Sequence, residues 1–81
     1  MKATLYTATG CPYCVQALAL LSRRGLDITM IDVGADPEER AALVARTGRR
    51  TVPQIYVEGR HIGGFDDLRA FDRQGGLTAA T

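Results

Sequence analysis

The two cysteines of this 81-residue chain stand only two residues apart, in Gly10-Cys11-Pro12-Tyr13-Cys14, and the patterns on either side of them constrain the fold. Before them, residues 2–7 alternate, with Ala3 and Leu5 on one face and Thr4 and Tyr6 on the other, as a strand does. After them, Val15, Leu18, Ala19 and Leu21 recur at helical spacing, and Gly25 stops a helix predicted over 12–24. Residues 26–33 read as a second strand, apolar enough to be buried. Strand, helix and strand in about thirty residues form a right-handed crossover with two parallel strands. The cysteines therefore lie at a strand-to-helix junction, and Pro12 fits the first helical position, where its missing N–H costs nothing.

That placement gives the two sulfurs unequal roles. Cys11 takes the cap and faces the unsatisfied N–H groups of Tyr13 and Cys14, and the positive end of the helix favours its thiolate. Cys11 is the expected nucleophile. Cys14 is expected to be shielded and to resolve a mixed disulfide at Cys11, closing a small ring and releasing a reduced product. Two other readings exist. A structural zinc site needs four ligands, and beyond the thiols only His61 is a usual partner, so no metal is expected. Two reduced core cysteines would have no packing reason to straddle a helix cap with Pro12 between them.

Composition narrows the class. One domain over 1–81 is expected, since the length leaves no room for a second and 46% of the residues are apolar. Ten basic against nine acidic residues give no field for nucleic acid. Met1 passes directly into the first strand, without the apolar run of a signal peptide or a membrane span, so a cytoplasmic protein is expected. In that reducing compartment a two-cysteine motif is catalytic more often than structural.

The second half is organised differently. Asp36-Pro37-Glu38-Glu39 is a helix start, and the helix runs to about Thr47 with a thin apolar face of Ala41, Leu43, Val44 and Ala45. Thr51-Val52-Pro53 leads into a strand over 54–58, with Ile55 and Val57 sharing a face. Gly59-Arg60 makes a turn and His61-Ile62-Gly63 returns, so this half is a hairpin rather than a crossover. A third helix runs from Phe65 or Asp66 to Gln74, with Leu68 and Phe71 inward, and Thr78 to Thr81 are expected to fray.

With Cys11-Pro12-Tyr13-Cys14, Thr51-Val52-Pro53 and Gly63-Gly64-Phe65-Asp66-Asp67 at successive junctions, essentially the whole chain resembles the bacterial dithiol glutaredoxins. The resemblance implies an α/β, minimal thioredoxin-like fold, a four-stranded mixed sheet flanked by three helices, and a monomer. It also implies glutathione as co-substrate rather than tightly bound cofactor. Disulfide-containing and glutathionylated proteins are the implied substrates, with ribonucleotide reductase a candidate among them.

In such a protein the Val52-Pro53 bond is cis and exposes the Val52 backbone beside Cys11, where glutathione's cysteine can pair with it like a short antiparallel strand. On the residues alone, Pro53 would simply begin an edge strand. The resemblance assigns Asp66 and Asp67 to the amino end of glutathione, although either also reads as a helix cap. It assigns Arg40 to the glycine carboxylate, with Arg46, Arg49 and Arg50 adding to the local field. Thr51, Pro53 and Gly64 complete the glutathione set, and Tyr13 lies over the groove. His61 reads as a hairpin surface residue.

Two positions depart from the pattern. Ala8 stands where many members carry a lysine, so cap geometry must contribute more to the Cys11 thiolate. Phe65 is similar to a sister group, the redoxins that serve ribonucleotide reductase and are recharged by thioredoxin reductase, but the flanking residues differ from theirs. Phe65 otherwise covers the groove or packs into the core. A module bridging an iron-sulfur cluster through Cys11 is a further class, and the rigid Pro12 argues against it.

Overall fold

In the computed structural model, which describes residues 1–77, the elements are β1 (Lys2–Thr7), α1 (Pro12–Arg23), β2 (Asp27–Asp32), α2 (Pro37–Thr47), β3 (Gln54–Val57), β4 (Arg60–Gly63) and α3 (Phe65–Arg73). The fraying expected at Thr78 to Thr81 lies outside the described residues. One sheet has the order β2-β1-β3-β4. β1 and β2 are parallel, with Leu5 opposite Met30, as a crossover through α1 requires. β3 runs antiparallel to β1, with Leu5 opposite Ile55, and β4 returns antiparallel to β3. This is the mixed sheet with three helices that the resemblance implied.

Strand alternation puts Ala3, Leu5, Ile55 and Val57 on one face, where Ala17, Leu20 and Leu21 of α1 and Leu68 of α3 close over them. Each such leucine, fully buried, contributes about 1.5–3 kcal/mol. The other face holds a smaller cluster of Tyr6, Val33 and Leu43. Tyr6 thus lies opposite Leu5 in direction, as the alternation predicts, yet is equally buried, because Leu43 of α2 packs on that side.

Four expectations need correction. The inward stripe of α1 is Cys14, Ala17, Leu20 and Leu21, with Leu18 partly buried, whereas Val15 is 67% exposed and Ala19 is also outside. The Cys14 thiol is a small apolar group and starts the stripe one residue earlier than an aliphatic count does. β2 is an edge strand and largely exposed, Met30 at 50%; the buried residues of that segment, Leu26 and Val33, flank the strand instead of lying in it. Of the thin face of α2, only Leu43 is buried. The hairpin turn is Glu58-Gly59, one residue earlier than expected, with both φ values positive (50° and 79°), the combination that matches strand twist.

Candidate active site

The β1–α1 junction does what its sequence requires. Cys11 is the N-cap of α1, with φ −100° and ψ 104°, and Pro12 follows at the first helical position. The Cys11 Sγ accepts from the Cys14 N–H at 3.2 Å; the Tyr13 N–H, expected to share in this, does not. No acidic side chain lies in the first turn to oppose a thiolate there. Both thiols are free, Cys11 half-buried and Cys14 only 4% exposed. Burial first, and then the hydrogen bond to Cys11, push the Cys14 thiol above its ordinary value of 9.0. One sulfur is presented and the other withheld.

Across from Cys11, the Val52-Pro53 bond is cis, and the Val52 carbonyl oxygen lies 3.8 Å from the Cys11 Sγ. From there a groove of about 270 Å³ runs to the start of α3, lined by Tyr13, Arg49, Thr51, Val52, Pro53, Gln54, Gly64, Phe65 and Asp66. It gathers seven residues the resemblance singled out, Tyr13, Thr51, Val52, Pro53, Gly64, Phe65 and Asp66. Tyr13, 59% exposed, and Phe65 face one another at 6.1 Å between ring centroids, and Arg69 sits over the Phe65 ring. Phe65 therefore both walls the groove and packs, half-buried, on the core.

Two predicted residues are placed differently. The Arg40 guanidinium is turned to the Arg50 carbonyl, to which it donates at 2.9 Å, so it braces the loop before Thr51 and does not line the groove. Arg49 lines it instead. Asp67 accepts the Gly64 N–H at 3.0 Å, the reciprocal half of a helix cap, and lies 3.6 Å from Arg49. Gly63 makes this possible: its φ is 124°, and a Cβ there would strike the Asp67 carboxylate. The amides of Asp66 and Asp67 are among those a helix start leaves without an intrahelical acceptor.

Two features escaped the sequence. A second cavity of about 480 Å³ opens on the opposite side of Cys11 and Cys14, between α1 and β2, where Val15, Leu18 and Met30 line it. Val15 and Met30 signalled it only as apolar residues without a core partner. Gln54 is the second: it is 1% exposed, with its amide between His61 at 2.9 Å and Thr51 at 3.3 Å. His61 is accordingly half-buried, not a simple surface residue. Among the described residues, no group of three or more His, Cys, Asp and Glu side chains is placed to hold a metal ion, and no helix is long and apolar enough to cross a membrane.

Residues 3–62 match the glutaredoxin family model. Over 73 residues the chain is 45% identical to glutaredoxin 3 of Escherichia coli K12, covering 90% of this chain and 88% of that one. It is 47% identical over 75 residues to a glutaredoxin of Pseudomonas aeruginosa, covering 93% and 89%. Among solved structures, the Brucella melitensis glutaredoxin superposes with a TM-score of 0.80 at 47% identity, over 95% of this chain and 84% of that one. A buckwheat glutaredoxin solved as a glutathione complex superposes with a TM-score of 0.83 at 32% identity, over 93% and 71%. With a presented and a withheld cysteine at the head of α1, the chain belongs to the glutaredoxin family of thiol-disulfide oxidoreductases.

Proposed function

We propose that this protein is a glutathione-dependent enzyme that reduces glutathione mixed disulfides and protein disulfides through Cys11 and Cys14. The observation that carries the reading is the groove itself, which starts at the Val52 carbonyl beside the Cys11 sulfur and ends at the N-terminus of α3. Its length and polarity suit a short peptide with charged ends. The cysteine of glutathione pairs with the Val52 backbone. Its glutamyl carboxylate meets the Asp66 and Asp67 amides, and its ammonium meets the Asp66 carboxylate. Arg49 provides the cation for the glycine carboxylate, with Arg40 holding the loop behind it.

The chemistry is two successive exchanges. The Cys11 thiolate attacks the glutathione sulfur of a mixed disulfide, forming a Cys11–glutathione bond and expelling the substrate thiolate, which takes up a proton. A second glutathione thiolate attacks the sulfur of the bound glutathione, giving oxidised glutathione and the Cys11 thiolate. With a protein disulfide, Cys14 instead attacks Cys11, releases the reduced protein and leaves a Cys11–Cys14 disulfide that two glutathiones reduce. Two of the influences holding up the Cys14 thiol come from Cys11, its hydrogen bond and its charge. A disulfide at Cys11 removes both, so Cys14 ionises more readily at the step that needs it.

Electrons then come from NADPH through glutathione reductase, in the cytoplasm, to a monomer of one domain. Ribonucleotide reductase is a candidate protein substrate. The test is a coupled assay offering glutathione with its reductase, or thioredoxin reductase alone. Efficient turnover only with glutathione is expected. Comparable turnover with thioredoxin reductase would make Phe65 the better guide and replace this reading with the sister-group one. Purified protein that is brown rather than colourless would favour the cluster-bridging class.

A further inference from the structure

We propose that Gln54 and His61 are positioning residues that set the direction of the Thr51 hydroxyl, so that Thr51 meets bound glutathione as a hydrogen-bond donor. The proposal rests on the glutathione reading above. Gln54 is the buried polar side chain of the described core, and an amide there needs partners at both ends. Its Oε1 faces His61 Nε2 at 2.9 Å, and its Nε2 donates to Thr51 Oγ1 at 3.3 Å. A hydroxyl has one proton. Because Thr51 accepts from Gln54, that proton is left to point into the groove, which exposed Thr51 lines.

The opposite arrangement is chemically possible and functionally different. With the amide turned round, Gln54 would present its carbonyl to Thr51, the hydroxyl would donate inward, and His61 Nε2 would have to accept. The ligand's carboxylate oxygens are acceptors, so an inward-donating Thr51 offers them only a lone pair. The form of His61 with a proton on Nε2 selects the productive arrangement. His61 is itself held, its ring tilted 33° against that of Tyr56 with centroids 5.0 Å apart, and Tyr56 meets Tyr6 edge-on at 6.0 Å. The relay thus runs from the aromatic packing of the sheet, through one buried amide, to the residue preceding Val52.

The experiment measures kcat and KM for a glutathionylated substrate, with glutathione and its reductase, in Thr51→Val, Gln54→Met and the double variant. Nitrogen-15 NMR of His61 in the wild type accompanies it. Each single variant is expected to raise KM about two- to tenfold, the range of one hydrogen bond, with kcat held within about twofold. The double variant should be no worse than the poorer single, because both delete the same interaction. His61 should carry its proton on Nε2. Additive losses, losses confined to kcat, or a neutral ring protonated only on Nδ1 overturn the proposal. Thr51 is exposed, so Thr51→Val and the His61 signal decide the matter even where Gln54→Met does not fold. Wild-type protein inactive with glutathione overturns the functional reading, and this one with it; active wild type with additive variants overturns this one alone.

Discussion

The N-terminal half, β1-α1-β2, and the C-terminal half, β3-β4-α3, meet at Cys11 but contribute different things. The first supplies reactivity from local geometry: a cap, a proline and a helix end acting on a sulfur within four residues. The second supplies shape from distant parts of the chain, with Val52, Gly64 and Asp66 brought opposite Tyr13 only by the hairpin and the turn into α3. Rate should therefore be carried by the first half and affinity by the second. Substitutions that fail to divide in this way would break the comparison.

The largest effect is expected within the reactive half. Cys11→Ser should abolish all thiol transfer, because no other presented thiol exists. Cys14→Ser should keep deglutathionylation, in which a second glutathione resolves the adduct, and lose most reduction of protein disulfides. Assaying both variants against both substrate types checks this, and activity surviving in Cys11→Ser would reverse the assignment. In the recognition half, Gly63→Ala should cost about 2 kcal/mol in urea unfolding, since its φ is positive and its Cβ displaces the Asp67 cap. A neutral result would mean that the α3 entry adapts.

Asp66→Asn should raise KM for the glutathionylated substrate about fivefold with kcat little changed, the size expected for one exposed charge pair. A fall in kcat alone would blur the division between the halves. The buried Cys14 thiol, with its pKa raised, predicts a pH effect on stability. Above about pH 9 the unfolded chain gives up this proton while the folded one keeps it, so folding stability should fall as pH rises. The fall should be smaller in Cys14→Ser, measured by denaturation at pH 8 and pH 10. The smallest effect is Ala8→Lys: a cation near Cys11 should speed its alkylation at pH 6 about two- to fourfold. An unchanged rate would show that the cap alone sets Cys11 reactivity.

The halves also differed in how well they could be read. Cys11, Pro12 and the strand before them announce their roles within a dozen residues, because caps and alternation are local. Val52, Gly64, Phe65 and Asp66 stand out only through the family pattern, since nothing in Thr51-Val52-Pro53 by itself points at a sulfur forty residues earlier. Arg40 and Arg49 cannot be told apart in the sequence, because two arginines on a helix and its following loop look alike until the Arg50 carbonyl claims one of them. Nothing in the sequence marks Gln54 as buried, because a polar residue in a strand normally signals the solvent side. The exposure of β2 is hidden in the sequence because Ile28, Met30 and Ile31 resemble a buried strand, and an edge is defined by neighbours rather than by composition.

That open edge has a consequence for crowded solutions. β2 offers an unpaired outer row of backbone groups with Met30 exposed near its middle, the kind of border along which two copies can zip together. Asp27 and Asp32 stand at its two ends, both exposed. If two copies met antiparallel about the Thr29–Met30 midpoint, each Asp27 would lie opposite the other copy's Asp32, placing like charges together at both ends of the seam. The same six residues that leave the border bare thus carry charges that oppose its being joined in that register.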